Sequence, residues 1–271
     1  MKEVGFLQTA QQRRSGPAIE CSSVSVSFLD QTTQTERKIL DRLDMQVPAG
    51  SVVALLGQSG CGKSTLLRSI AGLQPIQTGQ ITINDQTIDA TRKSMSFVFQ
   101  EPALLPWRTA IENVCLPLEL QSDLKRVEIQ NRSKQLLASV GFTAADHDKL
   151  PPQLSGGMKM RASLARALVT EPTLLLLDEP FAALDDMLRW RLNEMLLDLC
   201  RELSRTVLFV THNIAEAIFL SQKIAVMHRG QIAQWIDNPL PLARTSELRS
   251  TTEFAQFYGQ ISKCLAQAGS L

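Results

Sequence analysis

The chain has 271 residues, 44% of them hydrophobic and 20% charged, enough to bury a substantial core as one large domain or two small ones. Its 28 basic and 27 acidic residues leave a net charge of +1, with no basic stripe, so the composition gives no sign of a nucleic-acid partner. Five scattered cysteines (Cys21, Cys61, Cys115, Cys200, Cys264) include no CxxC pair, which argues for reduced thiols rather than a disulfide framework or a zinc site. No apolar run approaches the roughly 18 residues of a membrane-spanning helix. Arg13-Arg14 is not followed by the apolar stretch of an export signal. The expectation is a protein inside the cell that reaches a membrane only by docking onto another protein.

Residues 1–18 are polar and read as a flexible leader. Val24, Val26 and Phe28 alternate with serines, the pattern of a half-buried strand. Residues 51–56 (SVVALL) form a short apolar strand that runs into a glycine-rich turn and a helix from Lys63 to Ala71. Ile81 and Ile83 alternate again, and 97–99 makes a further strand. From about 102 to 154 periodic apolar positions (Val127, Leu136, Leu137, Val140) predict helices, with Gly141 as a stop. A helix over 155–168, a buried strand at 174–177, a helix at 187–203 and strands at 206–210 and 223–227 complete the core. Strands alternating with helices indicate an α/β fold on a mostly parallel sheet.

Gly57, Gln58, Ser59, Gly60, Cys61, Gly62, Lys63, Ser64 and Thr65 fit GxxxxGK[ST] in full. The glycines let the backbone curl so that its N–H groups surround phosphate oxygens, and the helix beginning there adds its positive dipole end. Lys63 brings a mobile charge to the outer phosphates, and the Ser64 hydroxyl can ligate Mg2+. Cys61 reads as a small loop filler. In the run Leu174–Leu177, Asp178, Glu179, carboxylates emerge at the carboxyl end of a strand, where open α/β sheets bind ligands. Asp178 is placed to hold Mg2+ through water and Glu179 to act as general base on the attacking water.

Leu154-Ser155-Gly156-Gly157 precedes that strand, and from about residue 20 to 236 the chain resembles the ATP-binding cassette (ABC) family, a P-loop NTPase fold with an antiparallel β subdomain and a helical signature subdomain. The resemblance implies further roles. Phe28, which periodicity alone would put in the core, stacks on adenine. Gln100 is the Q-loop glutamine and a metal contact, Ala183-Leu184-Asp185 the D-loop, and His212 the catalytic switch histidine. Ser155, Gly156, Gly157 and Asp185 would contact ATP bound to the other copy of a head-to-tail homodimer, so that two ATP molecules sit at the interface. Asp185 also suits a helix cap. The signature's fifth position is usually glutamine and here is Met158, which removes any polar contact from that side chain to nucleotide. His147 and His228 carry no motif and read as solvated.

Residues 100–107 (QEPALLPW), 157–168 (GMKMRASLARAL), 178–185 (DEPFAALD) and the tail from Pro239 to Gly259 resemble the nitrate/sulfonate/taurine importer group. Leu104, Leu105 and Trp107 suit either an apolar patch for a partner helix or burial in the chain's own core. The expected domains are a leader (1–18), an ABC ATPase domain (19–236, helical part about 102–168) and a short extension (237–271). The implied machine has two copies of this chain, two transmembrane permease subunits and a substrate-binding protein, with this chain at the cytoplasmic face of the cell membrane. An exporter or lipoprotein-release ATPase shares every catalytic residue and is the alternative. The stretch between Thr65 and Ser155 is too short for the long coiled coil of a DNA-repair ABC ATPase.

Overall fold

The computed structural model describes residues 16–29, 35–182, 184–203, 205–241 and 244–270. Residues 1–15 of the expected leader, and Ala183 of the expected D-loop, lie outside the described residues. In chain order the elements are β1 (Ile19–Leu29), β2 (Glu36–Val47), β3 (Val52–Gly57), α1 (Lys63–Ile70), β4 (Thr78–Ile83), β5 (Gln86–Thr87), α2 (Ile88–Thr91), β6 (Met95–Val98), α3 (Ala110–Gln121), α4 (Arg126–Ser139), α5 (Gly156–Leu168), β7 (Leu174–Asp178), α6 (Asp186–Leu203), β8 (Thr206–Val210), α7 (Ile214–Leu220), β9 (Lys223–His228), β10 (Gln231–Asp237) and α8 (Thr252–Ser270). They build an antiparallel sheet of order β2-β1-β4-β5 and a six-stranded sheet of order β10-β9-β3-β8-β7-β6. The larger sheet is parallel except for β10, which runs against β9.

The continuous apolar runs of β3, β7 and β8 follow from burial on both faces. Side chains alternate across a strand, so Val52, Ala54, Leu56, Leu175, Leu177, Val207 and Phe209 enter one core with α5 to α8. Their neighbours Val53, Leu55, Leu174, Leu176, Leu208 and Val210 enter a second core with α1 and the antiparallel sheet. A third, smaller core joins α3, α4 and α5, the helical part that the sequence predicts. Gly141 ends α4 as expected: it takes φ 80°, and the Phe142 N–H reaches the Leu137 carbonyl at 2.9 Å.

The structure departs from the sequence reading in several places. Register irregularities in β1 between Cys21 and Ser27 break strict alternation, so Val24, Ser25 and Val26 are all buried while Phe28 is 43% exposed. Periodicity had put Phe28 in the core; the bulges rotate it out. Val127 faces solvent rather than the helical core. His147 and His228 are half-buried rather than fully solvated: each buries Nε2, with no hydrogen-bond partner for it among the described residues. Helices α7 and α8, like the short α2, escaped the pattern. In α7, Glu216 to Leu220 are all buried, so no polar face shows. Helix α8 sends Phe254, Phe257 and Ile261 into the main core beside Phe219 and Ile236, so this part of the chain past 236 shares a core with the parallel sheet. Of the loop 104–107, Leu104 packs partly against the helical core and Trp107 is 72% exposed.

Candidate functional site: a phosphate cradle at the ends of three parallel strands

β3, β7 and β8 lie side by side and end at one edge of the sheet, delivering the loop 57–65, the pair Asp178-Glu179 and the turn at His212 to the same crevice. The loop's shape needs its glycines. Gly60 and Gly62 adopt φ 77° and 107°, and a Cβ on Gly62 would stand 2.9 Å from the Ile39 carbonyl oxygen. Gly62 then caps α1, whose first-turn N–H groups open toward the loop. Lys63 is almost fully buried and its ammonium donates to the carbonyls of Gly57 and Gln58, both at 2.8 Å, bracing the loop. Cys61 is buried against Gly57, in keeping with a filler.

The Ser64 hydroxyl donates to Asp178 Oδ1 at 2.7 Å, and Asp178 is fully buried at the end of β7. Arg68, one helical turn beyond Ser64, brings its guanidinium to 3.5 Å from Asp178 Oδ2. One hydroxyl and one carboxylate are hard oxygen donors of the kind Mg2+ takes when phosphate and water supply the rest. Among the described residues no cluster of His, Cys, Asp or Glu forms an all-protein metal cage. The donor set therefore fits a magnesium ion held jointly with nucleotide.

Glu179 follows with a backbone φ of 47°, a left-handed conformation that costs a non-glycine residue about 1–3 kcal/mol. Its N–H is tied to the Val210 carbonyl at 3.0 Å, so β8 holds the turn. The carboxylate is thereby aimed into the crevice, with Oε2 3.1 Å from His212 Nδ1 and 3.5 Å from the Gln100 amide nitrogen. The structure brings Gln100, Glu179 and His212 together, and Gln100 here faces Glu179 rather than Asp178.

Ser155 caps α5, its hydroxyl accepting from the Met158 N–H at 3.2 Å. Ser155 and Gly156 are exposed, and a Cβ on Gly156 would meet nothing within 4 Å. Gly157 packs instead on Leu184 and Leu188. Asp185 is exposed and caps α6 through the Leu188 N–H at 2.9 Å. Phe28 lies opposite Arg37 in the β1–β2 pair, two residues from the Ile39 that borders Gly62. That register sets its exposed ring on the strand pair beside the loop.

Sequence reasoning missed Arg68, Arg166, Arg189 and Glu216. Arg166 of α5 donates to the Ala103 carbonyl at 2.6 Å, tying the helix that Ser155 caps to the segment after Gln100. Two of them had a sequence signal: Arg68 in its i,i+4 spacing from Ser64, and Glu216 in its place three residues after the helix-capping Asn213.

A GxxxxGK[ST] loop at a helix N-terminus, a buried carboxylate bonded to its serine and an adjoining glutamate–histidine pair are the parts of a P-loop ATPase. The ABC transporter family profile matches residues 40–182. An aliphatic sulfonates import ATP-binding protein, SsuB 1, of Pseudomonas fluorescens is 41% identical over 238 residues, 88% of this chain and 84% of the relative. A taurine import ATP-binding protein, TauB, of Rhizobium johnstonii is 40% identical over 225 residues, 80% of this chain and 84% of the relative. Among solved structures, the dimeric ATP-binding cassette MJ0796 bound to ADP and phosphate superposes with a TM-score of 0.76 at 29% identity, covering 82% of this chain and all of that one. The chain belongs to the ABC transporter family and is one of its ATP-binding, ATP-hydrolysing subunits. Among the described residues no helix is long and apolar enough to cross a membrane.

Proposed function

We propose that this chain powers an importer for a small sulfonate- or taurine-like solute, working as a head-to-tail pair at the cytoplasmic face of the cell membrane. Two permease subunits would carry the pair, and a substrate-binding protein would deliver the solute. The import relatives, at about 40% identity over most of both chains, support this direction over the exporter or lipoprotein-release alternative.

The observation that carries the ATPase chemistry is Glu179 Oε2 standing 3.1 Å from His212 Nδ1 beside the buried Ser64–Asp178 pair. Backbone N–H groups of 58–65 would bind the outer phosphates, and Lys63 would exchange the Gly57 and Gln58 carbonyls for phosphate oxygens. Ser64, Asp178 and Gln100 would hold Mg2+, which neutralises charge on the phosphates during transfer. Glu179 would take the proton of the attacking water at its carboxylate. His212 would hold that carboxylate in line and contact the departing phosphoryl group. Phe28 would stack on adenine. The exposed Ser155, Gly156 and Gly157, with Asp185, would close on ATP held by the second copy, so hydrolysis would need the pair.

The test is a pull-down of the tagged chain in mild detergent, followed by ATP-driven solute uptake into vesicles rebuilt with the captured complex. Co-purified permease chains and inward transport support the reading. ATP hydrolysis without a membrane partner, or outward transport, overturns the importer half of it.

A further inference from the structure

One ionisable side chain near the site has no place in the mechanism above. Glu216, in the first turn of α7, is only 3% exposed, and burying a carboxylate costs several kcal/mol unless it is bonded. It is bonded on one side. The Thr211 hydroxyl donates to Glu216 Oε2, and the same hydroxyl oxygen accepts the Asn213 N–H at 3.0 Å. The Asn213 side chain in turn caps the Glu216 N–H at 3.2 Å. Three bonds therefore close around the turn 211–213, and His212 is the residue at its tip.

On its other side the carboxylate faces α6. Asn193 is fully buried near Glu216, yet neither its amide nor Glu216 Oε1 reaches hydrogen-bond geometry with a partner among the described residues. Arg189, one turn earlier on α6, adds an attractive charge. The same Arg189 donates to the Phe181 carbonyl at 3.2 Å and the Leu184 carbonyl at 2.7 Å, gripping both ends of the loop that leads to Asp185. The carboxylate thus sits between the turn that presents His212 and the helix that anchors the 181–185 loop.

We propose that Glu216 is a positioning residue: by holding Thr211 from the core side it fixes the His212 turn, and so keeps the His212 ring against Glu179. This rests on the ATPase reading of Glu179 and His212. A purely apolar residue at 216 would fill the space, but it would leave the Thr211 hydroxyl without its acceptor and the turn free to rotate. Displacement of about 1 Å at His212 is enough to cost about 100-fold in rate.

The experiment measures kcat and KM for ATP, nucleotide affinity and melting temperature for the full chain and for Glu216→Ala, Glu216→Gln, Thr211→Val and the Ala/Val double variant. Expected is a kcat lower by about 10- to 100-fold in Glu216→Ala and Thr211→Val, with KM and nucleotide affinity within about twofold of wild type. Gln can still accept from Thr211, so Glu216→Gln recovers kcat to within about threefold. The double variant loses no more than either single one, because both remove the same contact. A merely structural role would lower melting temperature and nucleotide affinity while leaving the kcat of the folded protein intact, and that result overturns the inference. So does a Gln variant as slow as Ala. Should Glu216→Ala not fold, Thr211→Val decides by the same kcat-against-KM split. A wild-type chain that binds ATP without turnover, alone or with its permeases, would overturn the ATPase function together with the inference. Equal turnover in wild type and both single variants overturns the inference alone.

Discussion

Glu179 Oε2 and His212 Nδ1 stand 3.1 Å apart, although one residue follows β7 and the other follows β8. The contact is made possible by the left-handed backbone at Glu179 and its N–H bond to Val210, which turn the carboxylate toward the neighbouring strand's end. Sheet geometry thus places the Glu179 carboxylate, so removing its charge should affect chemistry far more than binding if it acts as the proposed base.

Glu179→Gln keeps the side chain's size and its contact with His212 but cannot take a proton. Turnover is expected to fall by about 10²–10⁴-fold while ATP still binds, and the ATP-bound variant should accumulate as a dimer. Phosphate release and size-exclusion chromatography with ATP check this. Normal turnover would remove Glu179 from the role of base.

Ser64→Ala deletes one of the two oxygen donors that converge at 2.7 Å. The Mg2+ concentration for half-maximal hydrolysis should rise by about tenfold or more. Nucleotide affinity without Mg2+ should change little, because the N–H groups of the loop remain. Titration of activity against Mg2+, after removal of the metal with EDTA, is the measurement. An unchanged Mg2+ dependence would place the metal elsewhere.

Ser155→Arg adds a long cation to an exposed helix cap next to Gly156, where an added Cβ would meet nothing within 4 Å. Hydrolysis should be abolished with nucleotide affinity of the single chain preserved, since the residue is expected to serve the other copy's ATP. Loss of affinity in the isolated chain would contradict that arrangement.

Burial pushes the Glu216 carboxyl above its ordinary value of 4.5, against the downward pull of the Thr211 hydrogen bond and the Arg189 charge. A raised folded-state pKa means the folded protein holds this proton more tightly than the unfolded chain does. Its contribution to stability is present below the ordinary value and is lost as pH rises through the raised one. Denaturant melts should show Glu216→Gln gaining stability relative to wild type as pH rises above the ordinary carboxyl value of 4.5. A gap that stays constant or shrinks over that range is the contrary result.

Phe257→Ala tests whether α8 belongs to the ATPase core. The ring is 4% exposed among Phe219, Ile236 and Ile261, so truncation should cost about 3–5 kcal/mol. A loss below about 1 kcal/mol would mean that α8 only rests on the surface.

Local rules were enough for the phosphate loop, the carboxylates after Leu174–Leu177 and the Ser155 cap. In each, the chemistry needs particular residue types at fixed short spacing: glycines for φ values of 77° and 107°, a strand end for Asp178, a hydroxyl three residues before the N–H it accepts. The alternation that sends Leu174 and Leu175 into different cores is likewise a property of any strand covered on both faces. What lay beyond the sequence was whatever depends on distant segments meeting. Bulges in β1, set by its pairing with β2 and β4, turned Phe28 outward against its own periodicity. Helix α7 has no polar face to mark it, because neighbours bury Glu216 to Leu220 together. The 3.1 Å approach of Glu179 to His212, the Arg68–Asp178 pair and the Thr211–Glu216 bond exist because β3, β7 and β8 run parallel and in register, so that loops remote in sequence end at one edge. Residue identity determined that ATP chemistry is possible here; only tertiary packing decided which side chains hold its parts in place.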